Sequence, residues 1–144
     1  MKRIVSLLAL LLLVLVSACD SVGSMSGVQS SCRSSGKSGT CTLSVNRLTG
    51  GPVSHTVENS AFRSGDEEAQ VTVRVSTQSG ALRVGLTGDN GEEQTVEIQP
   101  GQSTELSGPA RITGTGDERR FSVYFTAIDE EVSGVQAEIV YQVE

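Results

Sequence analysis

From Cys41 to the end of the chain, apolar and polar residues alternate with a period of two, the signature of strands with one buried face. CTLSVNR puts Cys41, Leu43 and Val45 on one side, and QVTVRVST does the same with Val71, Val73 and Val75. ALRVGLT contributes Leu82, Val84 and Leu86, QTVEIQ contributes Val96 and Ile98, and ARITG contributes Ala110 and Ile112. RRFSVYFTAI points Phe121, Val123, Phe125 and Ala127 inward and leaves Tyr124 and Ile128 on the other face. VQAEIVYQV closes the series with Val135, Ala137, Ile139, Tyr141 and Val143. Val53, His55 and Val57 share parity, which predicts one more strand, followed by a loop to Glu68. Turn signals separate the runs: TGDNGEE, QPGQS, SGP, GTGDE and IDEEVSG. No stretch after residue 20 carries a helical stripe. The expected fold is all-β, an antiparallel β-sandwich of about seven or eight strands, with a small barrel as the alternative.

Ahead of this pattern, Asp20 to Thr40 is mostly Ser and Gly, with isolated Val22, Met25 and Val28 and no apolar period. That composition predicts a flexible tether over residues 19–40 leading to a domain at 41–144. A coil of about twenty such residues spans roughly 25 Å. The first residues differ again. Lys2 and Arg3 precede an apolar run from Ile4 to Val16, which ends in the small residues Ser17 and Ala18. Thirteen helical residues reach only about 20 Å, short of a hydrocarbon core roughly 30 Å thick. The segment therefore reads as a secretory signal over residues 1–18.

Val16-Ser17-Ala18-Cys19 resembles the lipobox of bacterial lipoproteins, with Val at the position that more commonly holds Leu. The resemblance covers the first twenty residues. It implies cleavage between Ala18 and Cys19 and lipid attachment to Cys19. Several acyl chains there would hold the protein on a membrane, where one alone binds marginally. The implied location is a bacterial membrane, facing the periplasm or the exterior. Asp20 resembles the residue that retains enterobacterial lipoproteins in the inner membrane. Val71 to Val143, with its PGQS turn and terminal VYQV strand, is similar to accessory β-sandwiches found beside secreted bacterial enzymes. No site residue is carried over from that similarity.

Assigning Cys19 to lipid leaves Cys32 and Cys41, a pair that an oxidising compartment would join as a disulfide. Such a bridge would pin the end of the tether to the first strand. Two free thiols or a metal pair are the alternatives, and a metal pair lacks partners because His55 is the only histidine.

Charge and composition narrow the function. The net charge is −6, and removing Lys2 and Arg3 with the signal takes it to about −8, which argues against nucleic acid as a partner. SSGKSG resembles the tail of a phosphate-binding loop, but position 31 is Ser where the motif needs Gly, and no helix follows. His55 lacks a G-x-S-x-G nucleophile and an orienting acid. Carboxylates cluster at Asp66-Glu67-Glu68, Asp89 with Glu92-Glu93, Asp117-Glu118 and Asp129-Glu130-Glu131, none with the alternating spacing of a calcium loop. No Trp is present to hold sugar rings, and Tyr124 offers one stacking face. No catalytic residue, metal ligand or cofactor is assigned. The expectation is a non-enzymatic binding or structural module of the cell envelope, partnered by the membrane and by an envelope protein or glycan. A glycan- or calcium-binding accessory module is the alternative, and a hydrolase a more distant one.

Overall fold

The computed structural model describes residues 22–144. The signal segment and the lipobox, Ala18 and Cys19 included, lie outside the described residues. The chain forms nine strands: β1 (Ser24–Ser35), β2 (Ser38–Thr49), β3 (Val53–Glu58), β4 (Glu68–Ser76), β5 (Leu82–Thr87), β6 (Glu93–Ile98), β7 (Ser103–Arg111), β8 (Arg120–Ala127) and β9 (Val132–Gln142). They make two antiparallel sheets. One has the order β1-β2-β9-β4-β7, the other β3-β8-β5-β6. The fold is an all-β sandwich.

Its core follows the alternation. Leu43, Val45, Val71, Val73, Val75, Ile139 and Tyr141 from the five-stranded sheet meet Leu82, Val84, Leu86, Phe121, Val123 and Phe125 from the other. Each such side chain taken out of water contributes about 1.5–3 kcal/mol, which is what presses the sheets together. Phe62, in the loop after β3, joins the core, packing edge-on against Tyr141 with ring centroids 5.9 Å apart. Phe121 lies 5.3 Å from the same tyrosine.

Three sequence expectations need correction. The tether does not extend to residue 40: Ser24–Ser35 is β1, paired with β2 along its length. The sandwich therefore begins near Ser24 rather than Cys41, and β1 supplies the strand that the periodicity missed. Its apolar period is absent because, as the outermost strand of the larger sheet, it is exposed on both faces apart from Met25. SGP is not a turn but the middle of β7. Pro109 is tolerated there because β7 is an edge strand, with one side needing no donor. Strict parity also slips by one residue across three strands. Val45 and Leu48 are both inward in β2, as are Val135 and Val132 in β9. Gly27 and Gly134, with φ of 61° and 60°, flank Asn46 at the slip. A Cβ at Gly27 would collide with the Asn46 side chain, and one at Gly134 with Gln78.

Cys32 and Cys41 face each other across β1 and β2 and are joined by a disulfide. The bridge thus staples two strands of a hairpin instead of fastening a loose segment. The turn between those strands is held from outside. Asn59 Nδ2 donates to the Gly36 carbonyl at 2.9 Å and to Tyr141 Oη at 3.1 Å. The Val143 amide donates to the Lys37 carbonyl at 3.1 Å. Lys37 Nζ donates to Asp66 Oδ1 at 2.8 Å, and the Asp66 side chain is 7% exposed. The Lys37 hydrogen bond, aided by the Arg63 amide, holds the Asp66 carboxyl below its ordinary range.

Replacing Cys32 by Ser and Cys41 by Ala together should lower unfolding stability by about 2–3 kcal/mol, the chain-entropy estimate for so short a loop. The effect should be local. Hydrogen exchange should quicken most at residues 24–35, while amides of β4 and β9 keep their order of protection. Uniform loss across all nine strands would show that the hairpin is not a separable edge.

Candidate functional site

The outward positions of the two sheets differ in what they leave free. On the five-stranded sheet, three pairs of outward polar side chains bind one another. Thr72 and Ser107 hydroxyls are 2.9 Å apart, Arg74 Nε donates to Glu105 at 2.8 Å, and Gln136 donates to Ser44 at 2.9 Å. Among the described residues, no aromatic side chain stands on that face.

The outer face of the four-stranded sheet is built from the residues between the core positions. In β5, Arg83, Gly85 and Thr87 alternate with inward Leu82, Val84 and Leu86. In β8, Ser122, Tyr124 and Thr126 alternate with Phe121, Val123 and Phe125. Register brings them together: Tyr124 pairs with Ser54 on one side and Gly85 on the other, and Gly85 pairs with Thr95 of β6. One row along, Thr126 pairs with Arg83, which pairs with Glu97.

The result is a cleft of about 370 Å³ lined by Pro52, Arg83, Gly85, Thr87, Glu93, Thr95, Tyr124 and Thr126. This volume falls within the range of about 300–1,000 Å³ usual for small-molecule sites. Tyr124 is 37% exposed and forms one wall. Gly85 forms the floor, where an added Cβ would press on the Thr95 methyl at 3.3 Å. Among the described residues, the side chains of Thr87, Glu93, Thr95 and Thr126 make no hydrogen bond or ion pair. Arg83 donates to Glu97 at 2.6 Å.

His55 lies on the inward face of β3, with the sheet between it and the cleft. Its Nε2 is buried without a partner, and burial pushes its pKa down. Glu93 and Glu97 share a face of β6 but lie four residues apart, about 13 Å at the rise of a strand. Glycosidase carboxylates stand about 5–9.5 Å apart.

Other sequence candidates are placed elsewhere. Lys37 serves the hairpin turn, not a phosphate. The acidic clusters are dispersed: Asp66 bonds Lys37, Asp89 lies 3.7 Å from Arg111, Asp129 accepts from the Ala81 amide at 2.8 Å, and Glu131 pairs with Arg47. Among the described residues, no three His, Cys, Asp or Glu side chains gather as a metal site. Sequence reasoning noted Tyr124, and Glu93 within an acidic cluster, but missed Arg83, Gly85, Thr95 and Thr126. The available signal was a glycine at an outward strand position, between Val84 and Leu86, level with an outward tyrosine.

No protein-family model matches the chain, and no curated protein matches it. Solved structures with a similar fold include the CBM22-1 xylan-binding domain of Paenibacillus barcinonensis Xyn10C, 13% identical over 84% of this chain and 85% of that one, with a TM-score of 0.41. Another is the family 11 carbohydrate-binding module of the cellulosomal cellulase Lic26A-Cel5E of Clostridium thermocellum, 10% identical over 85% and 86%, TM-score 0.38. A third comes from the disulfide-linked pili of Bacillus endospore appendages, 15% identical over 78% and 96%, TM-score 0.38. Similarity at this level does not carry a function across.

His55 gives the domain a testable response to acid. Its folded pKa lies below the unfolded value near 6.5, so in the window just below 6.5 the unfolded chain binds more protons and stability falls with pH. Asp66 acts in a lower window, below 3.8, where the stability that its depressed pKa contributes is lost as pH falls. Urea midpoints from about pH 7.5 down to 5 should decline for the native chain and stay nearly level for His55→Leu. An unchanged slope in the variant would remove His55 as the cause.

Proposed function

We propose that the chain is an exported lipoprotein of the bacterial cell envelope whose sandwich is a non-enzymatic glycan-binding module. The observation that carries the binding role is the cleft beside Tyr124, where a half-exposed aromatic wall meets a side-chain-free floor and a rim of uncommitted hydroxyls. Sugar rings present apolar C–H faces and many hydroxyls. They need a flat aromatic surface and donors and acceptors not already satisfied by protein. Among the described residues, the outer face of the other sheet carries no aromatic side chain.

Anchoring rests on the sequence of residues 16–20. With β1 beginning at Ser24, the five residues from Cys19 extend at most about 18 Å. The module would therefore be held close to the lipid headgroups, closer than a twenty-residue coil would place it.

Two measurements test the two halves of this reading. In a glycan panel, the mature protein in detergent micelles should bind at least one oligosaccharide, and Tyr124→Ala should weaken that binding about tenfold or more. Tyr124 and Tyr141 are the only tyrosines and Tyr141 is buried, so a ligand-induced change in tyrosine emission reports on Tyr124. Binding that survives Tyr124→Ala at full strength would place the ligand elsewhere. For the anchor, Cys19→Ala should leave the chain uncut and without lipid by mass spectrometry. Normal processing and membrane retention of that variant would refute the lipobox assignment.

A further inference from the structure

Charge on the ligand face is nearly all compensated. Arg83 pairs with Glu97 at 2.6 Å, and Arg120 lies 3.6 Å from Glu58. The exception is Glu93. It lines the cleft on the same side as Thr95, is exposed, and makes no ion pair among the described residues. The one guanidinium lining the cleft, Arg83, is already engaged by Glu97. A ligand entering the cleft thus meets a tyrosine face and an unpaired carboxylate, while the one guanidinium there already carries a counter-ion.

These groups attract one kind of substituent. A protonated amine can bond the carboxylate and approach the negative face of an aromatic ring. A uronic acid would meet Glu93 with like charge, inside a protein whose net charge is already −6. Resting on the glycan reading above, we infer that the cleft selects amino sugars whose nitrogen is unsubstituted and protonated over their N-acetylated and acidic counterparts. Glu93 is the residue that confers the preference, and Tyr124 supplies the shared stacking surface.

The test uses the full mature protein in detergent micelles at mildly acidic pH, titrated calorimetrically with three oligomers: glucosamine, N-acetylglucosamine and galacturonic acid. The glucosamine oligomer should bind tightest, and its affinity should fall as salt is raised. Glu93→Gln should reduce the ratio of glucosamine to N-acetylglucosamine affinity by roughly three- to tenfold, as expected for one partly exposed ion pair. Its melting temperature should match the native one, since the exposed Glu93 side chain makes no hydrogen bond or ion pair among the described residues. Equal or tighter binding of the acetylated or acidic oligomer would overturn the charge preference and leave the glycan reading standing. An unchanged ratio in Glu93→Gln would overturn the role of that residue. No binding of any of the three would overturn the preference and count against the glycan reading with it.

Discussion

The side-chain amide of Asn59 lies where both sheets and the edge hairpin meet, and the position of the hairpin depends on it. Asn59 directly follows β3 of the smaller sheet, yet it donates to Tyr141 at the centre of the larger sheet and to the Gly36 carbonyl at the hairpin tip. Its own Oδ1 accepts the Ala61 amide at 2.9 Å, so the loop after β3 is turned by the same group. At 6% exposure, an amide left without those partners would cost about 1–3 kcal/mol. The full set of bonds is available in one arrangement of three separate segments. That is how a polar residue in a core specifies geometry where apolar contacts, which lack direction, do not.

The hairpin needs such fastening. A lone two-stranded hairpin is at best marginal in water, and β1 buries almost nothing of its own. It is held by the ladder to β2, by the Cys32–Cys41 bridge across that ladder, and by the tip contacts of Gly36 and Lys37. Below the tip, the rings of Phe62, Phe121 and Tyr141 form the apolar floor on which the polar bonds rest. The acidic loop residue Asp66 belongs to the same assembly through Lys37. A carboxylate that resembles a metal ligand by composition is a structural counter-ion by position.

The parts of this fold that were legible in sequence are those governed by a local period. β4, β5 and β8 alternate cleanly because each buries one face, as does β9 from Val135 onward, and their inward residues match the observed core. β1 was illegible for the same physical reason: a strand that buries neither face has no period to read, and Ser and Gly look like linker. Pro109 misled in the opposite direction, since a breaker residue is admissible in a strand once that strand is known to be at an edge. The cleft was half legible. Tyr124 stood out as an outward aromatic, but its neighbours Gly85, Thr95 and Arg83 come from other strands, and only register brings them to it.

Register also relates the cleft to the start of the chain. Gly23, just before β1, is packed so closely on Gly51 and Val53 that a Cβ there would approach the Gly51 backbone to 2.5 Å. Pro52, between those two residues, lines the cleft. The point where the chain enters the sandwich is therefore adjacent to one end of the ligand face. On the proposed lipid anchor at Cys19, only a few residues separate that end from the membrane. A long tether would have let the module sample ligands in any direction. On that proposed anchor, the early start of β1 would bias the face beside Tyr124 toward material lying close along the membrane surface, so that reach and orientation would both depend on the strand that the Ser/Gly composition conceals.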